Sequence, residues 1–262
     1  MSAKLQFDDL EFVVLWEKST GERLPGPFGF KSRTPMYYDY LSEKNAVAEK
    51  LKSKWNRSLD VLAEMLVEPD IRITVSGYDG RDPQNAGGRV RLMALRKRER
   101  GYIIVQSPGE TYMNGAGFTA TECDPVLLAE AVVAALPEAE AGSQPDTALA
   151  VLDEASSPDE EFVRTTISDI FDNSDSLRAK KFLAAPIQCF GAIDVVQGRS
   201  KFGPRGVAAR RLEWRDLEGD GRYVIGGEPP HVATAADPKR LIAAINIRVA
   251  AIVRAIKDER GD

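Results

Sequence analysis

The chain runs to 262 residues, 43% hydrophobic and 29% charged, with a formal net charge of −5. Those proportions exclude collagen-like, disordered and disulfide-scaffold classes, and a chain this long folds without a metal or disulfide staple. The acidic balance argues against general affinity for nucleic acid or anionic lipid, and two cysteines, Cys123 and Cys189, suit a reducing compartment.

No apolar signal core precedes Asp8 and Asp9. The longest apolar stretch, Leu241 to Ile256, is interrupted by Asn246, Arg248 and Arg254 and is too polar to span a bilayer. The expectation is a cytoplasmic protein with no membrane contact. Val47, Leu51, Trp55, Leu59, Leu62 and Leu66 recur at helical spacing and predict one helix ended by Pro69. Ile71, Ile73 and Val75 alternate with Arg72, Thr74 and Ser76, which predicts a half-buried strand. A turn-rich loop from Gly77 to Gly88 follows, then strands at Arg89–Leu95, Tyr102–Gln106 and Gly117–Thr121.

Residues 120–132 and 233–245 share the pattern A-T-x-x-D-P-x-x-L-x-x-A-[V/I], with Asp124 and Asp237 separated by 113 positions. Each copy reads as a strand end followed by an Asp cap and a proline in the first helical turn. The second half repeats the order of the first. A helical stripe (Phe162, Val163, Thr166, Ile167, Ile170, Phe171) precedes strands at Ile187–Val196, Val207–Arg215 and Arg222–Ile225, with Asp220-Gly221 as a hairpin signal. A final helix carries Ile242, Ile245, Val249, Ile252 and Ile256. Residues 137–161 are acidic without a basic residue and read as a solvated linker around a short ordered piece at 148–152. The fold class expected is α+β: a pseudo-two-fold, duplicated antiparallel sheet flanked by helical bundles. Its halves are residues 1–136 and 162–262, forming one compact unit.

Catalytic chemistry is hard to find. The lone histidine, His231, follows Pro229 and Pro230 and reads as a loop end. The cysteines lack metal-ligand spacing, and Cys189 alternates with apolar neighbours as a core residue would. No phosphate-cradling or nucleophile-elbow motif occurs. Asp172–Ser176 opens like a calcium loop, but Lys181, Phe182 and Leu183 stand where the ligand glutamate should fall. The expectation is a protein that is not an enzyme and uses no cofactor or metal. Two basic clusters, Arg89 to Arg100 and Arg199 to Arg211, leave nucleic-acid or acidic-partner binding as the alternative. Against it, no aromatic residues interleave as stacking platforms.

Several segments together resemble the EspG family, the cytosolic chaperones of actinobacterial ESX (type VII) secretion systems. They are Phe12–Trp16 followed by Leu24–Phe28; Trp55–Leu66 running through Glu68-Pro69 into Ile71–Gly77; and Gly206 through Leu212-Glu213-Trp214-Arg215-Asp216 to Asp220-Gly221-Arg222-Tyr223. The resemblance implies a pseudo-two-fold fold and a non-enzymatic role: binding the helical tip of a PPE protein in a PE–PPE heterodimer, keeping it soluble and delivering it for secretion.

Such a tip needs a surface with an apolar centre and a polar rim. The alternation assigns Ile71, Ile73, Val75, Ile193, Leu212 and Trp214 to a core face. It assigns Arg72, Arg91, Met93, Phe190, Asp194, Arg211, Glu213 and Arg215 to the opposite, recognition face, with Tyr78 and Arg81 added from the loop. A seam along Ile242–Ile256 leaves open whether the chain is a monomer or a homodimer.

Overall fold

The computed structural model describes residues 4–149, 173–226 and 229–261. In chain order these form β1 (Lys4–Phe7), α1 (Asp9–Thr20), α2 (Tyr37–Ser53), α3 (Arg57–Val67), β2 (Ile71–Asp79), β3 (Val90–Lys97), β4 (Arg100–Pro108), β5 (Gly115–Cys123) and α4 (Leu128–Ala134). Then follow β6 (Thr147–Leu149), α5 (Asn173–Ala184), β7 (Ile187–Gln197), β8 (Ala209–Leu217), β9 (Arg222–Gly226), β10 (His231–Ala235) and α6 (Pro238–Arg260).

One antiparallel sheet has the order β1-β5-β4-β3-β2-β7-β8-β9-β10-β6. Read outward from the β2–β7 pair, the two sides match strand for strand: β2 with β7, β3 with β8, β4 with β9, β5 with β10, β1 with β6. Each half also has a 3-10 turn after its first central strand, at Ala86–Gly88 and at Pro204–Gly206. Each ends in the repeated helix start. Asp124 accepts from the Val126 N–H, and Asp237 from the Arg240 N–H, with Pro125 and Pro238 in the first turn. The duplication is therefore built into the topology.

Layering follows from the side chains. On one face, α4 and α6 pack on Ile71, Ile73, Val75, Leu92, Ala94, Ile193, Leu212 and Trp214, all buried. The six residues expected to form the core face are among them. Gly77 and Gly191 lie beside Trp214 in register, and a Cβ on Gly191 would come within 2.3 Å of the indole. The other face of the first half carries α1 and α3, which bury Met93, Leu95, Tyr102, Ile104 and Phe118. The other face of the second half carries α5, whose Phe182 meets Tyr223 edge-on at 5.1 Å. Helices on both sides explain why β3 and β4 read as apolar runs, whereas β2 and β8 alternate.

Local chemistry places the boundaries. Asp8 and Glu11 form a reciprocal capping box at the start of α1, and Gly21 ends it at φ +73°. The single helix expected over residues 47–66 is two: α2 stops at Ser53, and Asn56 caps α3 by accepting from the Ser58 and Leu59 N–H groups. Trp55 lies in the break and is exposed rather than part of the stripe. His231 opens β10 instead of closing a loop. The stripe expected over 162–171 lies outside the described residues, as does the first residue of the calcium-loop look-alike.

Residues 137–149 are not a solvated linker but are tied to the second half. Ala141 bridges to Arg222, and β6 pairs with β10. The Ser143 N–H and Oγ each lie 2.7 Å from Asp220 Oδ1, while the Gln144 N–H donates to the Tyr223 hydroxyl at 2.8 Å. Tyr223 in turn donates to Asp220 at 2.5 Å. Burial works against ionisation of Asp220, but these donors outweigh it and hold the carboxyl at about 2, below its ordinary 3.8. A carboxyl depressed in the folded state stabilises it above the unfolded value, and that contribution disappears as pH falls from about 4 toward 2. Asp220→Asn should therefore flatten the acid limb of stability. Denaturant titrations at about pH 5 and pH 2.5 should show a larger loss for the wild type than for the variant, and equal losses would contradict this assignment.

Candidate partner-binding site

Between the α1–α3 layer and α5, no described helix covers the strip formed by β2, β7 and the first part of β8. Strand register arranges its side chains in rows. Tyr78, Phe190 and Arg215 form one; Ser76, Ala192 and Glu213 a second; Thr74, Asp194 and Arg211 a third; Arg72, Val196 and Ala209 a fourth. The floor is made of small residues, chiefly Thr74, Ser76 and Ala192. At one end Tyr78 and Phe190 stack with centroids 5.4 Å apart, and the Arg89 guanidinium lies 3.7 Å from the Tyr78 ring centre. The Ser76 hydroxyl, and then Arg89, hold the Tyr78 phenol below its ordinary value. The opposite rim is charged: Arg211 meets Asp194 at 3.4 Å and Glu213 at 3.2 Å, all three substantially exposed.

Seven of the expected recognition residues, Arg72, Tyr78, Phe190, Asp194, Arg211, Glu213 and Arg215, thus share one strip. Tyr78 reaches it from β2, not from a loop, because the strand continues to Asp79. Desolvation lowers the pKa of Arg72, and the charge of Glu22 partly offsets it. The other three residues belong elsewhere. Arg81 leaves the end of β2 to pair with Glu218 through two contacts of 2.5 and 2.8 Å, linking the two halves at the surface. Arg91 is buried, its guanidinium donating to the carbonyls of Tyr112 and Asn114 and so anchoring the β4–β5 connection.

Met93 shares the face but is 0% exposed beneath α1 and α3, because a helical layer covers β3 and not β2. Met93→Asp would bury a carboxylate without a partner and is expected to cost about 3 kcal/mol or more. Thermal unfolding should show a large loss of stability, whereas a wild-type Tm would mean that the side chain reaches solvent. The residues that sequence reasoning missed are the small floor positions and Arg89. The floor was legible in the alternation of β2; Arg89 meets Tyr78 only through register.

Chemistry of other kinds finds little support. Burial pushes the thiols of Cys123 and Cys189 up to about 11, which disfavours thiolates. No cluster of potential metal ligands occurs among the described residues. Part of each basic cluster is engaged: Lys97 pairs with Glu64, Arg100 with Glu122, Arg199 with Glu68 and Arg211 with Asp194 and Glu213. The α6 stripe offers no free seam, since Leu241, Ile245 and Ile252 are buried against the sheet and α4. No described helix is long and apolar enough to cross a membrane.

A duplicated antiparallel sheet, helix-covered on one face and open along its central strands on the other, defines a binding scaffold. The chain belongs to the EspG family, whose profile matches residues 8–246. Its fold is also that of the Mycobacterium tuberculosis type VII secretion system chaperone EspG5, solved in complex with a PE25–PPE41 dimer. That likeness has a TM-score of 0.57 at 14% identity and covers 94% of this chain and 96% of that one. No curated protein sequence matches the chain.

Proposed function

We propose that this protein is a cytosolic type VII secretion chaperone acting by binding alone. It receives the helical tip of a PPE or PPE-like protein within a PE–PPE heterodimer, keeps that protein soluble and directs it to the secretion machinery. The observation that carries the reading is family membership across residues 8–246, together with the fold shared with EspG5 bound to PE25–PPE41. The β2–β7–β8 strip is the recognition surface in this proposal. A small-residue floor admits a helix end closely, the Tyr78–Phe190 ledge supplies apolar contact, and the Asp194–Arg211–Glu213 rim supplies orientation. Apolar surface on an unassembled secretion substrate drives aggregation, and covering it until export is what such a strip accomplishes.

The test is co-expression with PE–PPE pairs encoded by the same genome. An equimolar ternary complex, with PPE protein that is insoluble alone becoming soluble, is the expected result. Soluble pairs that pass the chain by on size exclusion would overturn the reading.

A further inference from the structure

Beside the strip, a cleft of about 740 Å³ opens between α1, the start of α2 and the loop joining β4 to β5. Its walls are aromatic and apolar: Tyr37, Tyr40, Tyr112 and Met113 line it, and Tyr37, Tyr112 and Met113 are exposed. Its charge is one-sided. Arg23, Lys44, Arg89 and Arg91 line it against a single carboxylate, Glu17, which Lys44 already engages. Arg89 and Arg91 lie close enough to repel one another, and neither forms an ion pair among the described residues. Arg91 is buried, and its Nε has no hydrogen-bond partner; the same holds for Nε and Nη1 of Arg89. Asp9, the acid that faces Arg91 from α1, is occupied by the Gly117 N–H at 2.9 Å. Arg91 donates to the Tyr112 and Asn114 carbonyls, yet Asp9 is the one acid acting on it and no ion pair among the described residues reaches either guanidinium, so an anion brought from outside would stabilise the pair.

We infer that this cleft takes an acidic, aromatic-bearing extended segment of the protein partner, placing a carboxylate side chain against the Arg89–Arg91 pair. The inference rests on the reading under Proposed function, because Arg89 stacks on Tyr78 and so makes the cleft continuous with the recognition strip. The volume and the aromatic walls exceed what a small inorganic anion fills and suit a peptide chain. The cleft then reads a charge on the substrate that the strip itself does not.

The experiment uses the full chain and two fluorescein-labelled capped peptides, Gly-Tyr-Glu-Pro-Glu-Tyr-Gly and its counterpart with glutamine for glutamate. Anisotropy should show the acidic peptide binding about tenfold more tightly than the glutamine form. Arg89→Gln should remove that difference, and added salt should weaken only the acidic peptide. Equal binding, no binding of either peptide, or displacement by equimolar inorganic phosphate would each overturn the inference. Thr74→Trp on the strip should leave peptide binding intact. Loss of PE–PPE capture in that variant, alongside unchanged peptide affinity, separates failure at the cleft from failure of the chaperone reading.

Discussion

Asp216→Asn is expected to lower the melting temperature by about 10 °C. Asp216 and Arg222 face each other across the β8–β9 pair with side chains only 5% and 3% exposed, joined by two contacts of 2.7 and 2.8 Å. Arg222 also donates to the Pro137 carbonyl at 2.8 Å, and its backbone accepts from Gly142 and Ala236. It is thus the point where the β8–β9 hairpin, the 137–142 segment and the end of β10 meet. Neutralising the aspartate leaves the guanidinium buried and uncompensated, a loss of roughly 3–5 kcal/mol. Removing both charges avoids that penalty, so Asp216→Leu with Arg222→Met should lose less than half as much. Arg81→Ala provides the contrast: its pair with Glu218 joins the two halves at the surface, but the arginine side chain is 78% exposed, so the cost should stay below about 1 kcal/mol. Differential scanning fluorimetry measures all three, and a near-wild-type Tm for Asp216→Asn would mean that the pair is hydrated.

Thr74→Trp is the second large effect, on binding and not on stability. Thr74 sits in the centre of β2 with Asp194 beside it in register, on the strip that no described helix covers. Tryptophan is favoured on strands and Thr74 is only half-buried, so the melting temperature should move by no more than about 2 °C. The indole nevertheless fills the space over the small-residue floor. A helical tip that must approach Ser76 and Ala192 would lose contact with both, and affinity for a PE–PPE pair should fall at least 100-fold, about 2.7 kcal/mol. Isothermal titration with the purified pair measures this. Unchanged affinity with an intact fold would move the interface off the central strands.

The faces of β2, β7 and β8 were legible because one side of each is packed and the other is not, and that asymmetry writes itself as alternation. The duplication was legible for a related reason: a helix start needs a cap and tolerates proline, so Asp124-Pro125 and Asp237-Pro238 kept the same chemistry. Met93 and Arg91 fall outside the strip because β3, unlike β2, is covered on both faces. The run Leu92–Leu95, together with Tyr102–Val105 on β4, signals cover on both faces. Gly77 reads as the start of a loop that carries Tyr78, yet the glycine belongs to β2 and makes room for Trp214. The cleft had no local signal at all. Residues from α1, α2, the end of the β2–β3 loop and the β4–β5 connection converge there through long-range packing, which neither periodicity nor motif records.

The most direct test of the chaperone account is site-specific photocrosslinking. Benzoylphenylalanine replaces Phe190 on the strip in one variant and Ile247, exposed on α6 behind the sheet, in another; each is co-expressed with a PE–PPE pair. The account predicts that position 190 captures the PPE chain and position 247 captures neither chain. Capture from position 247 with none from position 190 would contradict it and place the partner on the helical side of the molecule.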